Sequence, residues 1–203
     1  MKFPALFRLL AIAITAVAIN ACATRPIAEW QDDSFSGPID NVLIIGATDQ
    51  QTNRRLFEDT FVRELAARNV KAISSYRLMP IDQAVSRETV EAAIEGKTVD
   101  LVLVTRLLGV EEVQAYRPPS YYPYNRSYSS YYSHSMQYSS AAYYENYQVL
   151  TLESNLYDAR SQQLVWSMQS ENFDPSTPAT VIEQQIGLTI KTLGERGLIS
   201  AKP

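Results

Sequence analysis

The chain has a single cysteine, Cys22, and a single histidine, His134, among 203 residues. With one thiol no disulfide can close within the chain, so the fold must stand on its core. With one imidazole there is no Cys/His metal cluster and no HExxH pair. A GxSxG nucleophile turn is also missing. The stretch Gly46-Ala47-Thr48-Asp49 follows an apolar run and precedes a helical pattern, the place where α/β folds bind ligands. It has neither a glycine-rich phosphate loop nor the lysine of a P-loop, and an ordinary strand-to-helix turn accounts for it. These absences leave no poised nucleophile, base or metal, and the expectation is of a chain that is not an enzyme and uses no cofactor and no metal. Basic charge is short as well: 18 Lys and Arg stand against 22 Asp and Glu, a net charge of −4. Phosphate binding needs a basic surface, so nucleic acid is not an expected partner. Residues 9–19, LLAIAITAVAI, fall well short of the roughly 20 apolar residues that span hydrocarbon.

That short run has another use. Lys2 and Arg8 give a basic start, the apolar residues follow, and Ala21 is a small residue before a cut. This is the pattern of a secretory signal over residues 1–21. Ile19-Asn20-Ala21-Cys22 resembles the lipobox of bacterial lipoproteins, with Asn20 and Ile19 departing from its commonest residues. The resemblance implies that Cys22 is acylated on its thiol and, after cleavage, on its amino terminus. Ala23 stands where an Asp would retain such a protein in the inner membrane, so the implied address is the outer membrane, facing the periplasm. Several acyl chains hold stably where one holds marginally. Loss of Lys2 and Arg8 with the leader takes the net charge to about −6. Residues 22–40 are polar, with Pro26, Gly37 and Pro38, and read as a lipidated tether. A flexible coil of that length would put its ends about 25 Å apart, at most about 60 Å. Trp30 and Phe35 could fold back onto the domain.

Residues 41–199 read as one α/β domain. Val42-Leu43-Ile44-Ile45-Gly46 is a continuous apolar run, the mark of a strand buried on both faces. Residues 52–68 have helical spacing, with Leu56, Phe57, Phe61 and Leu65 assigned to the inner face and Arg54, Arg55, Glu58, Asp59, Arg63 and Glu64 to the outer. Asn69 suits a left-handed cap. Residues 70–78 read as a second strand. Ser86 caps a helix ended by Gly96, and a third strand starts at Leu101 and runs through Val113. This β-α-β-α-β order calls for parallel pairing with right-handed crossovers. Residues 148–158 and 163–173 then alternate as a hairpin, and Thr177-Pro178 opens a last helix with Val181, Ile182, Ile186, Ile190 and Leu193 inward. The expectation is a mixed sheet of about five strands packed by three helices.

Between residues 115 and 148 the composition changes. Eleven of the chain's 13 tyrosines lie in residues 116–147, which contain no Gly, Val, Ile or Leu. Such a segment cannot build an aliphatic core. It reads as a loop at the tip of a long hairpin. Tyrosine offers a flat apolar face and a hydroxyl at low conformational cost, so Tyr121, Tyr122, Tyr131 and Tyr132 are candidate contacts for a protein or glycan partner. The charge cluster Arg54, Arg55, Glu58 and Asp59 is a second candidate surface; its members are spaced to pair i,i+4 on a solvated helix face. Glu153, in a strand, would need Arg55 or Arg106 beside it if buried.

Three segments resemble a widespread group of uncharacterised bacterial lipoproteins: Arg54-Arg55-Leu56-Phe57-Glu58-Asp59, Ala72-Ile73-Ser74-Ser75-Tyr76, and Leu152-Glu153-Ser154-Asn155-Leu156-Tyr157-Asp158 with Leu164-Val165-Trp166. The group brings no established activity. The order of elements is also similar to the periplasmic α/β domains of the curli-secretion lipoprotein and of lipoproteins that activate peptidoglycan synthases, and fold alone does not set function. The expectation is an outer-membrane accessory lipoprotein binding an envelope protein or peptidoglycan; the alternative is a subunit of an oligomeric secretion pore. The lipobox reading makes a direct prediction: cells fed a fatty-acid probe should label the wild-type protein and not Cys22→Ala, and equal labelling of both would exclude acylation at Cys22.

Overall fold

The computed structural model describes residues 24–80, 85–117 and 143–200. Its elements in chain order are β1 (Thr24–Gln31), β2 (Val42–Ala47), α1 (Gln51–Ala66), β3 (Ala72–Ser74), α2 (Arg87–Ile94), β4 (Leu101–Arg117), β5 (Tyr143–Asp158), β6 (Leu164–Phe173) and α3 (Pro178–Glu195). The strands form one six-stranded mixed sheet in the order β1-β6-β5-β4-β2-β3. β2 pairs in parallel with β3 and β4, and the remaining pairs are antiparallel.

The mixed α/β class and the three helices agree with the sequence reading, and the strand count is six rather than about five. The extra strand is β1, inside the segment read as a tether. It pairs antiparallel with β6 and removes what would have been an exposed edge, and a register shift between Pro26 and Ala28 lets the proline sit on the outermost strand. No apolar period announced it, because polar groups hold it. Thr24 is buried, and its hydroxyl shares its one proton between Asn172 Oδ1 and, at 2.9 Å, Gln184 Oε1. Glu29 accepts from Trp166 Nε1 at 3.0 Å and from Arg196 at 2.7 and 2.9 Å. The Arg196 hydrogen bonds hold Glu29 below the usual carboxylate range against the opposing pull of burial, and Trp166 adds to the effect. This clamp contributes stability above the carboxylate's unfolded-state value and loses it as pH falls through the lowered folded-state value. Phe35 packs against the core and Ile39 is buried in it, so the chain reaches β2 as ordered structure.

The core lies on both faces of the sheet. On one face Val42, Ile44, Leu101, Leu103, Leu156, Trp166 and Met168 meet Phe57, Phe61 and Leu65 of α1 and Ile186, Ile190 and Leu193 of α3. On the other, Leu43, Ile45 and Val102 meet Met79 and Ala93, with Val90 and Ile94 of α2 alongside. β2 is therefore enclosed from both sides, as its unbroken apolar run implied. The predicted caps are present: Asn69 has φ 62°, Ser86 and Thr89 form a reciprocal capping box, and Thr177 caps α3 ahead of Pro178.

Two segment readings change. The strand expected over residues 70–78 is only Ala72–Ser74, followed by a 3₁₀ turn at Ser75–Arg77. The ladder of β4 and β5 continues as far as Arg117 opposite Tyr143, so residues 116–117 and 143–147 are strand and not loop. Backbone pairing needs no apolar alternation, which is why paired tyrosines did not betray it. A bulge between Leu107 and Gly109 marks where this hairpin leaves the body as an arm. Phe61 is fully buried, with its ring centroid 5.6 Å from that of Phe57. Phe61→Ala should lower the unfolding free energy by about 3–5 kcal/mol in denaturant titration.

Candidate functional site

The charge cluster on α1 does not form one solvated face. Arg54 is 2% exposed and Glu58 0%, whereas Arg55 and Asp59 face solvent and Leu56, assigned inward from the sequence, is 41% exposed. The helix is rotated so that the ion pair points into the core. Arg54 Nε donates to Glu58 Oε1 at 3.0 Å and Arg54 Nη2 to Ser75 Oγ at 2.8 Å. Glu58 also accepts from the Gly46 N–H at 3.1 Å, the Ser75 hydroxyl at 2.6 Å and the Tyr76 N–H at 3.1 Å. These bonds pull residues 75 and 76 towards α1 and end β3 early. Gly46 permits the approach: a Cβ there would lie 3.2 Å from Phe57. The i,i+4 spacing of Arg54 and Glu58 does bring them together, but beneath the surface, and neither can touch a partner directly.

The exposed half of the cluster is arranged differently from the expected Arg55–Asp59 pair. Asp59 accepts from Ser74 Oγ at 2.9 Å and from Tyr76 Oη at 2.6 and 2.8 Å. The guanidiniums of Arg55 and Arg77 lie 5.5 and 5.9 Å from the Tyr76 ring centroid. Tyr121, Tyr122, Tyr131, Tyr132, His134 and Cys22 lie outside the described residues.

Two concavities stand out. One, of about 630 Å³, runs between α1 and α3 and is walled by Arg63, Glu64, Arg68, Glu183, Lys191 and Glu195. Four of its charges pair locally, Arg68 with Glu64 and Lys191 with Glu195, and it is an open groove between helices. The other, of about 400 Å³, lies where β2 ends and α1 and α3 begin, beside Thr105–Leu107 of β4. Gly46, Thr48, Asn53, Phe57, Thr177, Val181 and Ile182 line one side, and Leu107, Leu150 and Leu152 of the hairpin the other. Its one ionisable lining residue, Arg106, is engaged by Glu153 at 2.9 Å. From this groove the apolar surface runs on outward through Leu107, Leu108 and Val110, all exposed. The sequence placed these residues in a strand and did not reveal that the helices stop short of them; the bulge at Gly109 is the only local signal.

Glu153 has the arginine its position called for. Burial pushes its carboxyl up, but hydrogen bonds from Gln169, Arg106 and Asn155 together outweigh that and hold it below the usual range. It is an ionised structural acceptor rather than a poised acid. Among the described residues no group of His, Cys, Asp and Glu is placed to hold a metal ion, and no helix is long and apolar enough to cross a membrane.

No protein-family model matches the chain, and no curated protein matches it by sequence. Solved structures do resemble it. A single-substitution variant of the PelC dodecamer from Paraburkholderia phytofirmans is 13% identical, with 82% of this chain and 98% of that one covered and a TM-score of 0.43. PelC in a second crystal form gives 10% identity, 84% and 94% coverage and 0.42. Lipoprotein GNA1162 from Neisseria meningitidis gives 10%, 78% and 99%, and 0.41. One neighbour is thus a lipoprotein; likenesses this distant leave role and partner to the residues themselves.

The buried pair yields a stability prediction. Arg54→Ala and Glu58→Ala should each cost about 3–5 kcal/mol, because each leaves a buried charge without its counter-ion. The double variant Arg54→Met/Glu58→Leu should cost clearly less than the two single losses added together, as read by denaturant titration.

Proposed function

We propose that this chain is a non-catalytic, lipid-anchored accessory protein of the bacterial outer membrane that binds another envelope component from the periplasmic side. The single observation that carries the binding role is the groove between the end of β2, the first half of β4 and the starts of α1 and α3. Phe57, Leu107, Leu150, Leu152, Val181 and Ile182 wall it, and the apolar surface continues onto the arm beyond the helices. Contiguous exposed apolar surface rimmed by polar residues is the usual mark of a contact site. Thr48, Asn53, Gln148 and Thr177 supply the polar rim. Its one ionisable lining side chain, Arg106, is tied to Glu153, and its apolar walls equip the groove for recognition. The lipobox-like sequence ending at Cys22, with Ala23 after it, supports the anchor and the outer-membrane address.

Tyr121, Tyr122, Tyr131 and Tyr132 remain candidate contacts by composition, and an envelope protein or peptidoglycan the candidate partner. Photocrosslinking in intact cells tests the groove. A photoreactive residue in place of Leu152 should give a discrete adduct, and the same residue in place of exposed Lys191 should not. Identical patterns at both positions would remove the groove from consideration.

A further inference from the structure

The pairing registers align four residues in one row across the sheet. Thr24 of β1 pairs with Asn172 of β6, Asn172 with Leu150 of β5, and Leu150 with Val110 of β4. β1 is antiparallel to β6, β6 to β5 and β5 to β4, so β1 runs opposite to β4. The chain therefore enters the sheet at Thr24 from the end towards which β4 climbs. Past the row, β4 and β5 continue for seven more paired residues, to Arg117 opposite Tyr143. At about 3.4 Å per residue this is an arm of roughly 24 Å. Cys22 is two residues before Thr24, so its Cα lies within about 7 Å of Thr24 wherever those residues point. Thr24 itself is fixed, being buried and bonded to Asn172 and Gln184.

We infer that the β4–β5 arm lies against the lipid surface that holds the acylated Cys22, with Tyr116 and Tyr144 at headgroup level; this rests on the proposed anchor. Acyl chains enter the bilayer at the cysteine, within about 7 Å of the row from which the arm projects and at the same end of the sheet, so an arm of about 24 Å is within reach of that surface. Strand twist of about 20–25° per step, over the three steps from β1 to β4, inclines the arm across that surface rather than straight into it. The chemistry agrees. Tyr116 and Tyr144 are 56% and 69% exposed with ring centroids 5.5 Å apart, a paired aromatic with polar tips, the kind of group that settles at a membrane interface. Glu111, Glu112 and the Arg117–Glu145 pair lie along the same arm and keep it out of hydrocarbon. Because acidic residues outnumber basic ones on the arm, binding does not depend on anionic lipid, and neutral phosphatidylcholine suffices.

The test uses the full acylated chain in phosphatidylcholine vesicles that contain some headgroup-nitroxide lipid. Cys22 being blocked by its lipid, a fluorophore is placed by Tyr116→Cys, by Tyr144→Cys, or by Lys191→Cys as a control on the far part of α3. The nitroxide lipid should quench the two arm labels several-fold more than the control, and soluble iodide should quench them less. Flotation reads the anchor separately. Protein that does not float with the vesicles overturns the anchor and the arm contact together. Protein that floats while its arm labels are as open to iodide as the control overturns the arm contact alone, and leaves that surface to a protein partner.

Discussion

Glu58 is the acceptor on which three elements converge. A carboxylate with no solvent exposure is costly to ionise unless its lone pairs are filled, and here they are filled from the end of β2, from Arg54 one helical turn away, and from both residues that follow β3. Two of those donors are backbone N–H groups, at Gly46, on β2 beyond the last residue that β3 pairs, and at Tyr76, just after β3. The pair thus does more than neutralise itself. It sets the rotation of α1, and with it the outward position of Leu56 and the inward positions of Phe57 and Phe61. It also ends β3 after three residues, and turns Tyr76 outward to where Asp59, Arg55 and Arg77 meet it.

The other half of the sheet is held by a second polar layer, of a different kind. Thr105 and Ser154 share a hydrogen bond at 2.8 Å; Gln185 donates to Ser154 at 3.2 Å and accepts from Ser170 at 2.6 Å. These neutral groups are buried between β4, β5, β6 and α3, in the rows next to the aliphatic ones. The layer is not fully satisfied: Asn172 Nδ2 and Thr189 Oγ1 have no protein partner. Hydrogen-bonded polar groups confer geometric definition at little net gain in stability. Their position, just under the row where β1 joins and the arm departs, means that the less apolar end of the core is also the end that carries the exposed surfaces.

This division explains what the residues disclosed in advance. The aliphatic half was legible: β2 from its unbroken apolar run, α3 from Val181 to Leu193, and the β5–β6 hairpin from alternation around Trp166 and Met168. Periodicity reports burial only when buried means apolar. At α1 it found Phe57, Phe61 and Leu65 but missed that Arg54 and Glu58 are inside and Leu56 is out, although Arg54 and Glu58 were correctly seen to be in pairing distance. It failed at β1, whose inward residues Thr24, Glu29 and Gln31 are polar. It failed again where β4 and β5 outrun the helices, because a ladder of backbone bonds carries no sequence period of its own. The groove inherits two of these failures, at α1 and at the arm: its walls come from those two elements and the start of α3, and no single stretch of sequence contains it.

The composition of the arm then acquires a physical reason. A hairpin that leaves its core at Val110 loses aliphatic packing but must keep its two strands together, and beyond that row the side chains become acidic, amide and aromatic: Glu111, Glu112 and Gln114 opposite Val149, Gln148 and Asn146, then Tyr116 beside Tyr144. Cross-strand aromatic and charged pairs are the means by which an unsupported two-stranded ribbon is stabilised, and isolated ribbons in water are marginal even so. A ribbon of this length gains most from lying on something. The Arg117–Glu145 pair closes its described end at 2.7 Å with both partners largely exposed, which contributes little in water and more where solvent is partly excluded. The aromatic and ionic pairs that hold the arm together are therefore strongest when one of its faces is covered.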